Sequence, residues 1–293
     1  MHKTLSNFGG VFLLSCRKNA LDVEESASTR NGIVMRYAPS EGVLRVKLFR
    51  YALVLCLVLV TAMSFVANGA AAKVLKVGSD CTYPPMEMQN EKTGAFEGFD
   101  IDLIKAVAKK MGRTVQILNT GWDGIIPGLM NGNYDCLISA MTITDDRAAQ
   151  INFSDPYFTA GQVILVMADN TSIKGPADLK GKKVAVQMGT TGDIAVSKME
   201  GVTVLRFNTN PEAVQELRNG GAAAVVADST TLMWEALKDS KLKLVDKKPF
   251  TVEYYGIGVK KGNDSLLNAI NKALARLKVS GEYEAVFAKW FGK

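Results

Sequence analysis

Phe99-Asp-Ile-Asp-Leu-Ile-Lys-Ala-Val-Ala-Lys-Lys-Met111, then Gly112, then Thr114-Val-Gln-Ile-Leu118, is the stretch that decides the fold. Ile101, Ile104, Ala108 and Met111 recur at helical spacing and form one apolar face. Asp100 is placed to cap this helix and Gly112 to end it. Thr114–Leu118 reads as a strand, and Val74–Gly78 upstream reads as another. Downstream come a helix over Asp123–Met130 with Pro127 near its start, a strand over Tyr134–Ala140 and a short helix opened by Thr144. The theme then repeats. Gln162–Met167, Lys183–Gln187, Val202–Phe207 and Ala223–Ala227 read as strands, with helices near Asp193–Met199 and Pro211–Asn219 between them. A strand segment over Thr251–Val259, holding Tyr254 and Tyr255, precedes two helices. The first aligns Leu266, Ile270, Leu274 and Leu277, and the second runs from Glu282 to Trp290. Trp234 and Trp290 are assigned to the core. This alternation predicts an α/β fold of two lobes, each an open, mostly parallel sheet flanked by helices. Such sheets bind ligands beyond the C-terminal ends of their strands, so two facing lobes make a cleft.

The chain has 293 residues, enough for two modest domains. Apolar residues at 47% and charged residues at 22% argue against disorder. The one histidine is His2, which excludes a histidine-based catalytic site or zinc cluster. Residues 46–72 have the parts of a secretory signal: Lys47 and Arg50, the apolar run Ala52–Val66, and Ala70-Ala71-Ala72. The run is shorter than the ~20 residues a spanning helix needs, which favours cleavage after Ala72 over an uncleaved anchor. Cys56 lacks the small residues of a lipoprotein signal before it. Residues 1–45 carry no targeting logic and read as an extension left by a start assigned too far upstream, with Met35 or Val46 as the alternatives. From Lys73 onward, 27 Lys and Arg face 25 Asp and Glu, a net +2 that supports no nucleic-acid surface. Cys81 and Cys136 remain after cleavage. Export favours a disulfide, but an offset of about five residues between parallel strands, roughly 16 Å, opposes one.

The residues just after the strands carry the chemistry. Asp80 and Tyr83 follow the first, Trp122 the second, and Ser139, Thr142 and Arg147 the third. In the second half, Gly189-Thr190-Thr191-Gly192 follows a strand and opens a helix, and Asp228 follows another. This set suits a zwitterion. Arg147 offers a bidentate donor to a carboxylate, and backbone N–H groups over Thr190–Gly192 offer more. Asp228 suits an ammonium. Tyr83 and Trp122 can sandwich a side chain whose tip meets Asp80. Taken singly, each has a plainer reading: Arg147 as a solvated surface residue, Asp228 as a helix cap, Tyr83 and Trp122 as packing aromatics. The Gly-Thr-Thr-Gly run lacks the Gly-Lys of a nucleotide P-loop.

Gly78-Ser-Asp-Cys-Thr-Tyr-Pro-Pro-Met86 with Gly98-Phe-Asp-Ile-Asp-Leu103 resembles the opening of the bacterial family 3 periplasmic solute-binding proteins, the polar amino-acid receptors of ABC importers. Trp122-Asp-Gly-Ile-Ile-Pro-Gly-Leu129, Ser139-Ala-Met-Thr-Ile-Thr-Asp-Asp-Arg147 and Phe153-Ser-Asp-Pro-Tyr157 continue the likeness, as do Leu179-Lys-Gly-Lys-Lys-Val-Ala-Val186, Gly189-Thr-Thr191 and Lys289-Trp-Phe-Gly292. The resemblance spans residues 73–293. It implies a flytrap-like fold with lobe 1 over 73–160 and 252–293, lobe 2 over 161–251, and hinge segments near 159–163 and 248–253. It implies that Arg147, with Thr142 and Thr191, clamps a ligand carboxylate and that Asp228 takes the α-ammonium. Asp80, Tyr83, Trp122 and Ser139 would shape the side-chain pocket. Ala140 stands where relatives often carry Ser or Gly, leaving only its backbone for the ligand. Gln187 and Met188 stand where residues vary with ligand choice.

The function implied is capture of a polar or basic L-amino acid by lobe closure, without catalysis, cofactor or metal. Asp80 beside two aromatics ranks arginine, lysine and ornithine ahead of glutamine. The partners implied are the free amino acid and an inner-membrane ABC permease, with the protein a monomer in the periplasm. Two other readings exist on this scaffold. One is a dehydratase of cyclic carboxylic acids, which needs a positioned general acid that the strand ends do not supply. The other is a membrane-tethered amino-acid-sensing domain, which needs an uncleaved 52–66 segment.

Overall fold

The computed structural model describes residues 73–292, with Phe49 apart from them. The leader at 46–72, its cleavage and the extension at 1–45 therefore lie outside the described residues. In chain order the first half comprises β1 (Val74–Ser79), β2 (Thr82–Tyr83), β3 (Glu87–Gln89), β4 (Phe96–Glu97), α1 (Phe99–Lys110), β5 (Thr114–Asn119), α2 (Trp122–Met130), β6 (Cys136–Leu137), α3 (Asp145–Ala148), β7 (Ile151–Phe153) and β8 (Phe158–Ala160). Next come β9 (Gln162–Met167), a 3-10 turn at Pro176–Leu179, β10 (Lys183–Gln187), α4 (Thr191–Ser197), β11 (Thr203–Phe207), α5 (Asn210–Arg218), β12 (Ala224–Asp228), α6 (Ser229–Lys238) and β13 (Leu242–Leu244). The chain closes with β14 (Glu253–Tyr255), β15 (Gly258–Lys260), α7 (Asp264–Val279) and α8 (Glu282–Phe291).

Two five-stranded sheets result, ordered β5-β1-β6-β15-β7 and β11-β10-β12-β9-β13. In each, one strand runs against the others: β15 opposes β6 and β7, and β9 opposes β12 and β13. These reversed strands are the ones that arrive from the other sheet. A two-stranded ribbon, β8 paired antiparallel with β14, carries both crossings. A chain crossing the cleft enters the next sheet at its cleft edge, where the parallel strands end, so it must run the opposite way. The central strand β12 is buried along its whole length and reads Ala-Val-Val-Ala-Asp, as a strand covered on both faces should.

Apolar periodicity explains the helices. Leu266, Ile270, Leu274 and Leu277 of α7 are all buried against the first sheet, beside Phe99, Leu103, Ile104 and Val107 of α1. The second sheet is packed on both faces, by Val214 and Leu217 of α5 on one side and Val196 of α4 on the other. Gly112, at φ 68°, ends α1 as its position predicts.

Several expectations need correction. Gly98, not Asp100, occupies the cap position of α1, and Asp100 is fully buried with its carboxyl turned to Ala140 and Tyr157. The strand expected over Tyr134–Ala140 pairs only at Cys136–Leu137, because the chain then bends through Ala140 at φ 43°. The strand expected over Thr251–Val259 is two strands, since β14 belongs to the ribbon and β15 to a sheet. Trp234 and Trp290 are half-buried rather than buried, and Trp290 packs against the core of the first sheet, with its Nε1 donating to Asp102 at 2.8 Å. Cys136 lies in register with Val77, four residues before Cys81, and both cysteines are free and buried. Burial pushes the Cys81 thiol up to about 12. No helix among the described residues is long and apolar enough to cross a membrane.

Candidate functional site

The C-terminal ends of the parallel strands of both sheets meet at one narrow cavity. From the first sheet, Asp80 and Tyr83 line it after β1, Trp122 at the start of α2, and Ser139, Ala140 and Thr142 after β6, with Arg147 from α3. From the second, Gln187 ends β10, Thr190 and Thr191 open α4, and Asp228 ends β12. The structure thus brings all eleven residues expected from the sequence to one cavity. Met188 lies in an adjoining open compartment that shares Asp80 and Trp122.

Arg147 is only 8% exposed, so it is no surface residue. Thr144 caps its short helix, accepting from Arg147 N, and aims the side chain inward. One guanidinium nitrogen donates to Thr142 O at 2.9 Å and another reaches Gly189 O at 3.3 Å. The guanidinium also lies over the Trp122 ring, 5.1 Å from its centroid. Burial lowers its pKa, and the charges of Asp228 and Glu253 offset that.

Asp228 stands at the cap position of α6 but makes no side-chain cap. Its carboxylate instead accepts from Tyr255 OH and from Gln162 Nε2. Burial first, and the nearby Glu253 second, raise its pKa to about 6. Asp80 accepts from Thr82 Oγ1 at 2.8 Å and from Gln187 Nε2 at 3.2 Å. Burial raises its pKa and these two bonds oppose the rise. Tyr83 OH accepts from Asp228 N at 3.3 Å. Thr190 caps α4 by accepting from Asp193 N.

Sequence reasoning missed the residues behind this surface. Glu87 lines the cavity and accepts from Ser139 Oγ at 2.9 Å. Glu253, from the ribbon, accepts from Thr142 Oγ1 at 2.8 Å, Thr191 Oγ1 at 2.7 Å and Gln162 Nε2 at 3.0 Å. Glu87 directly follows the Gly78–Met86 stretch, whereas Glu253 has one local donor, Thr251 Oγ1 at 3.0 Å, and three partners that lie 62, 91 and 111 residues away.

Two α/β lobes joined by two crossings, with a charged cavity at their facing strand ends, define the class of two-lobed solute-binding proteins. The chain belongs to the bacterial extracellular solute-binding proteins, family 3, whose profile matches residues 75–293. It is 40% identical over 228 residues to a probable histidine-binding protein of Neisseria gonorrhoeae, covering 75% of this chain and 84% of that one. It is 34% identical over 234 residues to the ABC transporter arginine-binding protein 1 of Escherichia coli strain K12, covering 78% and 95%. A solved structure of an ancestral arginine-binding protein bound to arginine superposes with a TM-score of 0.72 at 46% identity, covering 75% and 98%.

Proposed function

We propose that the chain is the extracytoplasmic amino-acid-binding component of an ABC importer and that its ligand is an L-amino acid with a basic side chain. The observation that carries this is the buried Arg147 guanidinium and the buried carboxyls of Asp80 and Asp228 on the walls of one cavity. Arg147 suits the α-carboxylate, with Thr142 and Thr191 beside it. Asp228 suits the α-ammonium, held ready by Tyr255 and Gln162. Asp80, with Tyr83 and Trp122, suits a cationic tip. Thr190 and the backbone at Ala140 complete the polar wall, and Gln187 reaches Asp80 across the cleft. Relatives named for histidine and arginine support the basic class.

In this reading the protein binds without catalysis. It works as a periplasmic monomer released by cleavage after Ala72 and delivers its ligand to an inner-membrane permease. Lobe 1 comprises 73–160 and 252–293, and lobe 2 comprises 161–251. Thermal unfolding against the twenty amino acids and ornithine tests it. Ligand at a hundred times Kd adds about 2.7 kcal/mol of stability, a readable rise in melting temperature. The expected rise is with arginine, lysine, ornithine or histidine. No rise with any amino acid would overturn the reading.

A further inference from the structure

Two buried carboxyl groups, Glu87 on the cavity wall and Asp100 off it, bond to one loop. Both are 0% exposed, and their partners in that loop are the adjacent residues Ser139 and Ala140. Asp100 Oδ2 accepts from Ala140 N and from Tyr157 OH, each at 2.7 Å. Glu87 Oε1 accepts from Ser139 Oγ at 2.9 Å. Glu87 Oε2 and Asp100 Oδ1 are left with no hydrogen-bond partner among the described residues. The titratable groups facing Glu87 are Asp80 and Cys81 beyond β1, Tyr83 on β2, Asp100 on α1 and Tyr157 ahead of β8, and none is cationic. Ionised carboxylates only accept, so two of them cannot bond to each other. The two orphaned oxygens, Glu87 Oε2 and Asp100 Oδ1, can satisfy each other only if one of them carries a proton. Two donors already favour the ionised form of Asp100, against one for Glu87.

We propose that Glu87 is held as the neutral acid, its Oε2–H donating to Asp100 Oδ1, and that it is the positioning residue that makes Ser139 a hydrogen-bond acceptor toward the ligand side chain. This rests on the amino-acid reading above. Ser139 has one hydroxyl hydrogen, and Glu87 Oε1 receives it. The Ser139 oxygen accepts from Asp80 N at 3.0 Å, which leaves one lone pair for the cavity it lines. Ser139 and the Asp80 carboxylate then offer acceptors only. An ammonium or guanidinium tip satisfies both, whereas a carboxamide leaves its carbonyl oxygen without a donor there. Burial without a nearby cation raises the pKa of both Glu87 and Asp100, in keeping with a retained proton.

The test uses the full chain and three variants, with L-arginine and L-glutamine as probes in calorimetry. Glu87→Gln keeps both bonds, since its amide N–H donates to Asp100 and its oxygen accepts from Ser139. It should hold arginine affinity within about threefold, and hold the preference for arginine over glutamine. Glu87→Ala should lose at least about tenfold for arginine and less for glutamine. Asp100→Asn offers its amide to an ionised Glu87 and should also bind. Infrared spectra without ligand, at about pH 8 where ordinary carboxyls are ionised, should show a carboxylic-acid carbonyl band in the parent that Glu87→Gln lacks. A folded Glu87→Gln that binds as poorly as Glu87→Ala would overturn the proposal. So would the absence of the acid band from the parent. If the parent binds neither probe nor any other amino acid, the amino-acid reading fails and the role toward the ligand fails with it. The band then still decides the proton.

Discussion

Arg147 and Asp228 are buried in the same cavity, and burial works against the charge of each. It lowers the pKa of Arg147 and raises that of Asp228. Their mutual attraction offsets part of this, and a zwitterionic ligand would supply the rest by pairing with both. Arg147→Ala should therefore weaken amino-acid binding by about 2–5 kcal/mol, seen by calorimetry as a loss of roughly thirtyfold or more. Unchanged affinity would remove Arg147 from the ligand's contacts. Asp228→Asn should separate function from stability. The folded carboxyl titrates at about 6 against its ordinary value of 3.8, so between those values the native state holds more protons than the unfolded one. The stability this adds is fully present below pH 3.8 and is lost as pH rises through about 6. Denaturant titrations without ligand should show that decline in the parent and a flatter profile in Asp228→Asn, which should also bind poorly.

At the scale of elements, the ribbon of β8 and β14 carries both crossings between the sheets, and Gly161 follows it immediately. A Cβ built on Gly161 would sit 2.1 Å from Thr251 O and 2.8 Å from Pro249 Cβ. The carbonyl is backbone and cannot swing aside. Gly161→Ala should cost about 1–3 kcal/mol, read as a lower urea midpoint. A midpoint unchanged from the parent would mean that the ribbon yields at little cost. Legibility in the sequence followed element length. The sixteen residues of α7 repeat their apolar positions often enough to be read directly, and β9 and β10 were read to the residue. Strands of two or three residues, such as β2, β3 and β8, are too short to show a period, and Thr251–Val259 hid a change of sheet at Gly256.

Across the whole molecule, three side-chain contacts bridge the two sheets' strand ends: Gln187 to Asp80, Arg147 to Gly189 O, and Asp228 N to Tyr83 OH. All three involve residues of the cavity wall, so the contacts that hold the strand ends together are made by the groups proposed to hold the ligand. A ligand that binds this closed arrangement better than an open one shifts the population toward it. Small-angle X-ray scattering should show a smaller radius of gyration with saturating arginine than without it. Equal radii with bound arginine would mean that the lobes do not open and that the ligand enters by another route.

The sequence by itself determined which residues form helices and long strands, and which polar groups stand at the strand ends. Periodicity, caps and turn residues are local and survive without the partner segments. Nine of the eleven cavity residues named from the sequence were placed for that reason, because a residue just after a parallel strand can be placed before its neighbours are known, while Ala140 and Gln187 came from the family resemblance. Only the tertiary structure decided who faces them. Asp228 bonds to Tyr255 and Gln162 rather than capping α6, Asp100 bonds to Ala140 rather than capping α1, and Glu253 reaches Thr142 and Thr191 from the crossing ribbon. Each of these is a buried polar group, and burial leaves it one requirement, a hydrogen-bond partner. That partner is supplied by packing between segments far apart in the chain, which no local pattern records.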